Sequence, residues 1–198
     1  MSIKKIITGL TLSLLLSSGA AVAADFGKGV EAYNSGDFKT ALAEWTPLAE
    51  QGNIEAQYNL GIMYNLGKGV PENNKTAVKW YTLAAEQGNA DAQFNVGNMY
   101  DNGDGVPEND KTAVKWYTKA AEQGHAKAQA NLGSMYDNGD GVLTDTKRAY
   151  MWYNLSSYND NEIGGKNKDK ITKEMTPADI SKAQDMSSRC LESNYTDC

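Results

Sequence analysis

Residues Glu55 to Ala90 slide onto Asp91 to Ala126 without a gap and coincide at 26 of 36 positions. A repeat of that length is met by a stack of small helical units, each burying its apolar face on the next, rather than by one globular core. A third copy begins at Lys127, keeps the frame through Trp152 and then decays. The tryptophans record the same ladder: Trp80, Trp116 and Trp152 are 36 residues apart, whereas the step from Trp45 to Trp80 is 35.

Within one unit, Ala56, Leu60 and Tyr64 recur every four residues and so share one helical face. That spacing predicts a helix A over 55–65, stopped by Gly67 and Gly69 and followed by an extended turn at Val70-Pro71. Asn73 or Asn74 is suited to cap a helix B, whose Ala77, Trp80, Tyr81, Ala84 and Ala85 repeat at three- and four-residue spacing before Gly88. Gly61, Gly97 and Gly133 stand mid-helix in every copy, where glycine costs about 1 kcal/mol relative to alanine. A cost repeated in register points to helices that approach closely. The tryptophan and tyrosine of helix B are expected to supply the large buried surface between hairpins.

The pattern Ala-x-x-x-Leu-Gly-x-Met-Tyr, Gly-x-Gly-Val, Ala-x-x-Trp-Tyr-x-x-Ala-Ala-Glu-Gln-Gly resembles the Sel-one-like repeat (SLR), a relative of the tetratricopeptide repeat. Residues 55–126 match two full copies. The third keeps Leu132, Gly133, Met135, Tyr136, Gly139, Gly141, Val142, Ala149, Trp152 and Tyr153, but has Ser156 and Ser157 where the paired alanines stand. The resemblance implies an all-α fold, an α-solenoid in which antiparallel helix pairs wind into a right-handed superhelix. Three repeats are expected at 54–90, 91–126 and 127–160. Residues 24–53 read as a degenerate first hairpin, because Ala41 and Leu48-Ala49-Glu50-Gln51-Gly52 align with helix B while the turn at Ser35-Gly36-Asp37 is shorter. In that alignment Trp45 falls opposite Tyr81 rather than Trp80.

Residues 1–23 have the layout of a secretory signal: Lys4 and Lys5, an apolar run from Ile6 to Leu16, and small residues Ala21 and Ala23 before the expected cleavage point. The run is shorter than the roughly 18 to 20 residues of a membrane span. No cysteine at that point indicates a lipid anchor. Loss of Lys4 and Lys5 leaves 17 basic against 25 acidic residues, a net charge of −8. Such a surface repels nucleic acid and anionic membranes. The expected location is the periplasm or, beyond it, the medium, with no stable membrane insertion after cleavage.

Both cysteines lie near the end, Cys190 and Cys198. Continuous helix would hold them about 12 Å apart, too far to bridge. A disulfide therefore requires a helix stop, for which Ser193-Asn194 is suited; free or intermolecular thiols are the alternative. The expected role is to clip a terminal helix, since no C-x-x-C pair is present. Residues 161–198 are expected to form capping helices. Asn159 to Lys170, polar and glycine-bearing, reads as a loop before a helix reaching Met175. Thr176 caps the next, with Pro177 at its first position and Ile180, Ala183, Met186 and Cys190 or Leu191 on its apolar face.

Catalytic groups are scarce. The one histidine, His125, occupies the turn slot held by Asn53 and Asn89 in the other units. Some secreted SLR proteins are associated with β-lactam binding or hydrolysis, but the serine signature Ser-x-x-Lys occurs only at Ser2 to Lys5. The turn Asp101-Asn102-Gly103-Asp104-Gly105 places glycine where a calcium loop needs oxygen donors. No catalytic, cofactor or metal site is expected.

The copies differ where function can differ. Of ten differences between the first two, five fall at 58, 62, 65, 66 and 68. Positions 58, 62 and 65 form a stripe on helix A, read across the copies as Tyr58, Phe94, Ala130; Ile62, Asn98, Ser134; and Asn65, Asp101, Asp137. Free drift of exposed positions accounts for such a stripe equally well at any one residue. In tetratricopeptide relatives helix A lines a groove that holds partners, and a row of apolar residues there asks for an explanation. The expected function is an exported, non-catalytic scaffold binding another protein or an extended peptide through this groove. A secreted β-lactam-binding or hydrolysing enzyme, or a secreted effector, is the alternative.

Overall fold

Asparagine, or histidine in the third copy, begins every repeat helix A. The computed structural model describes residues 24–198, so the segment read as a secretory signal, with its Ser2 to Lys5 motif, lies outside the described residues. Ten α-helices and no strand occur among the described residues. They are α1 (Phe26–Ser35), α2 (Phe38–Glu50), α3 (Ile54–Leu66), α4 (Asn74–Glu86), α5 (Ala90–Asn102), α6 (Asp110–Ala121), α7 (Ala126–Asn138), α8 (Thr146–Tyr158), α9 (Glu162–Thr172) and α10 (Pro177–Glu192). Each helix from α1 to α8 packs on the next, and α9 and α10 both lie against α8. The chain is an all-α solenoid of helix pairs.

The caps explain the boundaries. Asn53, Asn89 and His125 accept hydrogen bonds from the amides of Ala56, Ala92 and Ala128, at 2.8, 2.8 and 3.1 Å. Helix A then stops at Gly67, Gly103 or Gly139, each left-handed, with its amide on the carbonyl of Met63, Met99 or Met135. Of the two candidate caps for helix B, Asn73 is the one used, accepting from the Thr76 amide at 2.9 Å. The second glycine of Gly-x-Gly seats this turn on the preceding unit: a Cβ at Gly105 would lie 2.6 Å from the Asn74 carbonyl oxygen, and one at Gly141 would lie 2.7 Å from that of Asp110.

Packing inside a hairpin rests on the mid-helix glycine. The ring of Tyr81 lies on Gly61, Tyr117 on Gly97 and Tyr153 on Gly133. In the first hairpin the indole of Trp45 lies on Gly29, so Trp45 takes the place of the later tyrosines, as its register predicts. The repeat tryptophans do something else. Trp80 packs with Trp45, Leu60 and Met63, and Trp116 with Tyr81, Val96 and Met99, so each reaches the core shared with the preceding unit. Core side chains such as Leu60 and Leu132 are almost fully buried and contribute roughly 1.5–3 kcal/mol each.

A buried glutamine joins the units. Gln57, Gln93 and Gln129 donate from Nε2 to the carbonyls of Ala49, Ala85 and Ala121, at 3.0, 3.0 and 3.1 Å, which satisfies the end of the preceding helix B. Their Oε1 atoms accept from Gln87, Gln123 and Asn159, on the hairpin that each glutamine belongs to.

The C-terminal part departs from expectation at one place. Most of the stretch 159–170 read as loop is helix α9, which ends at Thr172 rather than reaching Met175. Asn161 caps it by accepting from the Gly164 amide at 3.0 Å, and Ile171 is buried with Tyr150, Tyr153 and Ala183. Gly164 lets α9 press on Ser156, one of the two serines that replace the paired alanines. Ser156 is itself buried and donates to the Ala126 carbonyl at 2.7 Å. Helix α10 starts as expected, with Thr176 Oγ1 accepting from the Asp179 amide at 3.2 Å, and buries Ala183, Ser187 and Cys190. It stops at Ser193, and the reversal through Asn194 and Tyr195, both at positive φ, brings the Cα of Cys198 to 4.7 Å from that of Cys190, within bridging reach.

Candidate functional site

The nine stripe positions divide into two rows. In the outer row, Tyr58 and Phe94 are half-buried, their ring centroids 5.8 Å from Tyr81 and 6.0 Å from Tyr117. Ala130, the third member, is buried and presents almost no surface. Between α3, α5 and the start of α7 lies a pocket of about 360 Å³, lined by Tyr58, Asp91, Phe94, Asn95, His125 and Lys127. Burial pushes the Tyr58 hydroxyl up, helped by the nearby charge of Asp91 and opposed by a hydrogen bond with Asn95.

The inner row is partly committed within the fold. The Tyr117 hydroxyl lies 2.6 Å from Asn98 Oδ1 and 3.1 Å from Asp101 Oδ2 and donates to one of them at a time. Asn131 of the next unit also donates to Asn98 Oδ1, at 3.2 Å. In the third unit the Tyr153 hydroxyl, near Ser134 and Asp137, is pushed up to about 12, chiefly by burial and then by the charge of Asp137. The first unit has Ile62 and Asn65 in these slots, and Asn65 instead donates to Asn74 Oδ1 at 3.0 Å. A second pocket of about 350 Å³ opens here, lined by Asn65, Tyr81, Asn95, Asn98, Asn102 and Asp104. Asn95 is common to both pockets, so Tyr58, Phe94, Asn95, Asn98 and Asn65 belong to one continuous surface on the helix A side.

Burial raises the Asp101 carboxyl, with Asp110 and Asp140 adding to the effect and the Tyr117 hydrogen bond opposing it. Among the described residues no three of His, Cys, Asp and Glu are grouped to hold a metal ion, and no helix is long and apolar enough to cross a membrane. His125 stands where the sequence placed it, in the turn after helix B, with a sharper duty: its ring caps α7 and stacks on Phe94 at 4.6 Å.

Two features, one on this surface and one buried beneath it, escaped the sequence reading. Asn59, Asn95 and Asn131 occupy one position of the repeat and are the same in all three copies, as are Gln57, Gln93 and Gln129. Polar residues held constant beside a drifting stripe were the available signal.

The Sel1 repeat profile matches residues 54–89, 90–125 and 126–161. The crystal structure of a Sel1 repeat protein from Oxalobacter formigenes is similar, with 39% identity and a TM-score of 0.66, over 68% of this chain and 56% of that one. So is that of c5321, a protective antigen present in uropathogenic Escherichia coli strains and displaying an SLR fold, with 30% identity and a TM-score of 0.53, over 86% of this chain and 46% of that one. The chain thus spans about half the length of these two proteins. The search of curated proteins gives no match. Three contiguous profile matches over helix pairs of the expected pitch place this chain in the Sel1 repeat family.

Proposed function

We propose that the protein is an exported, non-catalytic scaffold that binds another protein or an extended peptide through the helix A surface centred on Tyr58 and Phe94. Sel1 repeats generally mediate protein–protein interaction, and that much comes with the family. The observation that carries the finer reading is the pocket between Tyr58 and Phe94. Two aromatic rings at the same repeat position are held from behind by Tyr81 and Tyr117, yet keep part of their surface open beside an amide side chain, Asn95. Rigid aromatic anchors with adjacent hydrogen-bonding groups are the usual centre of a protein interface. Export is supported by the composition of residues 1–23 and by the bridging geometry of Cys190 and Cys198, a pair suited to a compartment where disulfides persist.

The test is affinity capture from cell-envelope extract with wild-type protein and with the double variant Tyr58→Ala, Phe94→Ala, whose helicity is checked by circular dichroism. Loss of captured partners from a folded variant supports the surface. Full retention of every partner by a folded variant overturns it, and turnover of nitrocefin by the wild-type protein overturns the non-catalytic reading.

A further inference from the structure

His125 differs from every other helix A cap in being titratable in the physiological range. Its Nδ1 accepts from the Ala128 amide at 3.1 Å, which fixes the neutral imidazole with its proton on Nε2. Nε2 lies 3.2 Å from Oδ1 of Asp91, on the first turn of α5. Phe94 of the same helix stacks on the ring at 4.6 Å and 25°. The ring is therefore wedged between the starts of two successive helix A segments, with 15% of its side chain exposed. The equivalent joints use Asn53 and Asn89, whose amide oxygens accept at any pH.

We propose that His125 makes the junction between the second and third repeats an acid-sensitive joint, in which protonation of the imidazole withdraws the cap from α7. An imidazolium has no free lone pair, so the Ala128 amide loses its acceptor, and a cation at the first turn of a helix opposes the dipole. The facing groups act in both directions. Asp91 from α5 favours the imidazolium, Lys127 on α7 disfavours it, and Tyr58 from α3 lines the same pocket as a neutral hydroxyl. Burial outweighs the attraction of Asp91, and the ring is held below its ordinary value. The cap's contribution is thus complete above about 6.5, the ordinary histidine value, and is lost as the pH falls from there through the lower value of the folded state. This device stands whether or not the helix A surface binds a partner.

The chain has one histidine, so its imidazole resonances are unambiguous in NMR spectra of the whole protein. The expected titration midpoint lies below 6.5, and the protection of the Ala128 amide against hydrogen exchange, relative to the intrinsic rate at each pH, is expected to fall by roughly fivefold between neutral and acid pH, the effect of losing one cap. In His125→Asn, which copies the other two joints, that loss of protection is absent while the Ala56 and Ala92 amides behave as in wild type. A midpoint at or above 6.5, or an equal loss of protection in both proteins, overturns the proposal.

Discussion

A Cβ placed on Gly97 would lie 2.6 Å from Cδ1 of Tyr117, well inside any real contact. Tyr117 is fully buried, on the helix that follows, so neither partner can retreat cheaply. Gly97→Ala should therefore destabilise the protein by about 1–3 kcal/mol, the usual cost of overpacking, although alanine is the better helix former by about 1 kcal/mol. Thermal unfolding followed by circular dichroism gives the answer, and a variant as stable as wild type would show that the glycine serves something other than close approach.

Gln93 is buried and holds both the Ala85 carbonyl and Gln123. Gln93→Leu keeps the volume but removes one of the two donors to that carbonyl, the other being the Gly88 amide, and the acceptor of Gln123, an expected loss of about 0.5–1.5 kcal/mol. Because the glutamine joins two hairpins, hydrogen exchange should rise at the end of α4 and the start of α5 together. Denaturant unfolding with residue-resolved exchange measures both effects.

Clipping the tail has its own signature. Tyr195 rests near Gly124, its ring 3.2 Å from where a Cβ would stand, and its hydroxyl pairs with Asn159, which in turn holds Gln129. With Cys190 and Cys198 bridged, closing so short a loop stabilises by roughly 2–3 kcal/mol. Cys198→Ser removes the bridge and leaves the buried Cys190 in place, so the variant should melt several degrees below oxidised wild type and coincide with wild type under reductant. Equal melting of all three samples would show that the cysteines are not paired.

Asp101 is half-buried beside Asp110 and Asp140, and burial holds its carboxyl above the ordinary range. A raised carboxyl means that the charged form costs stability at neutral pH, a cost absent below the unfolded value of about 3.9. Asp101→Asn retains an oxygen for Tyr117 and removes the charge. It should gain no more than ~0.5 kcal/mol at pH 7, since solvent still screens a half-buried group, with the gain disappearing in acid. Paired urea titrations across that pH range check the sign.

Much of this architecture was legible because a repeated unit states its constraints several times. The identity between copies located helices A and B to within a residue or two, and the missing residues in the first turn placed Trp45 in the tyrosine slot rather than in the tryptophan series. Helix α9 was not legible: Gly164, Gly165, Asn167 and Asp169 lower its helical preference, and what makes it a helix is burial of Ile171 and the contact between Gly164 and Ser156. The stripe was legible only as a set of positions. Which members face solvent, and which spend their polar atoms on Tyr117, depended on where that hydroxyl arrives from the neighbouring helix.

The sequence by itself determined the period, the glycine stops of the helices and the close glycine contacts, because these follow from backbone geometry and from interactions within about 36 residues. The tertiary structure alone decided that Ala130 is covered while Tyr58 and Phe94 keep an open edge, that the buried glutamines tie each unit to the last, and that His125 is wedged between two helix starts. Identical positions in successive copies differ in these respects because each meets a different neighbour, and a neighbour's side chain is fixed only once the helices have packed.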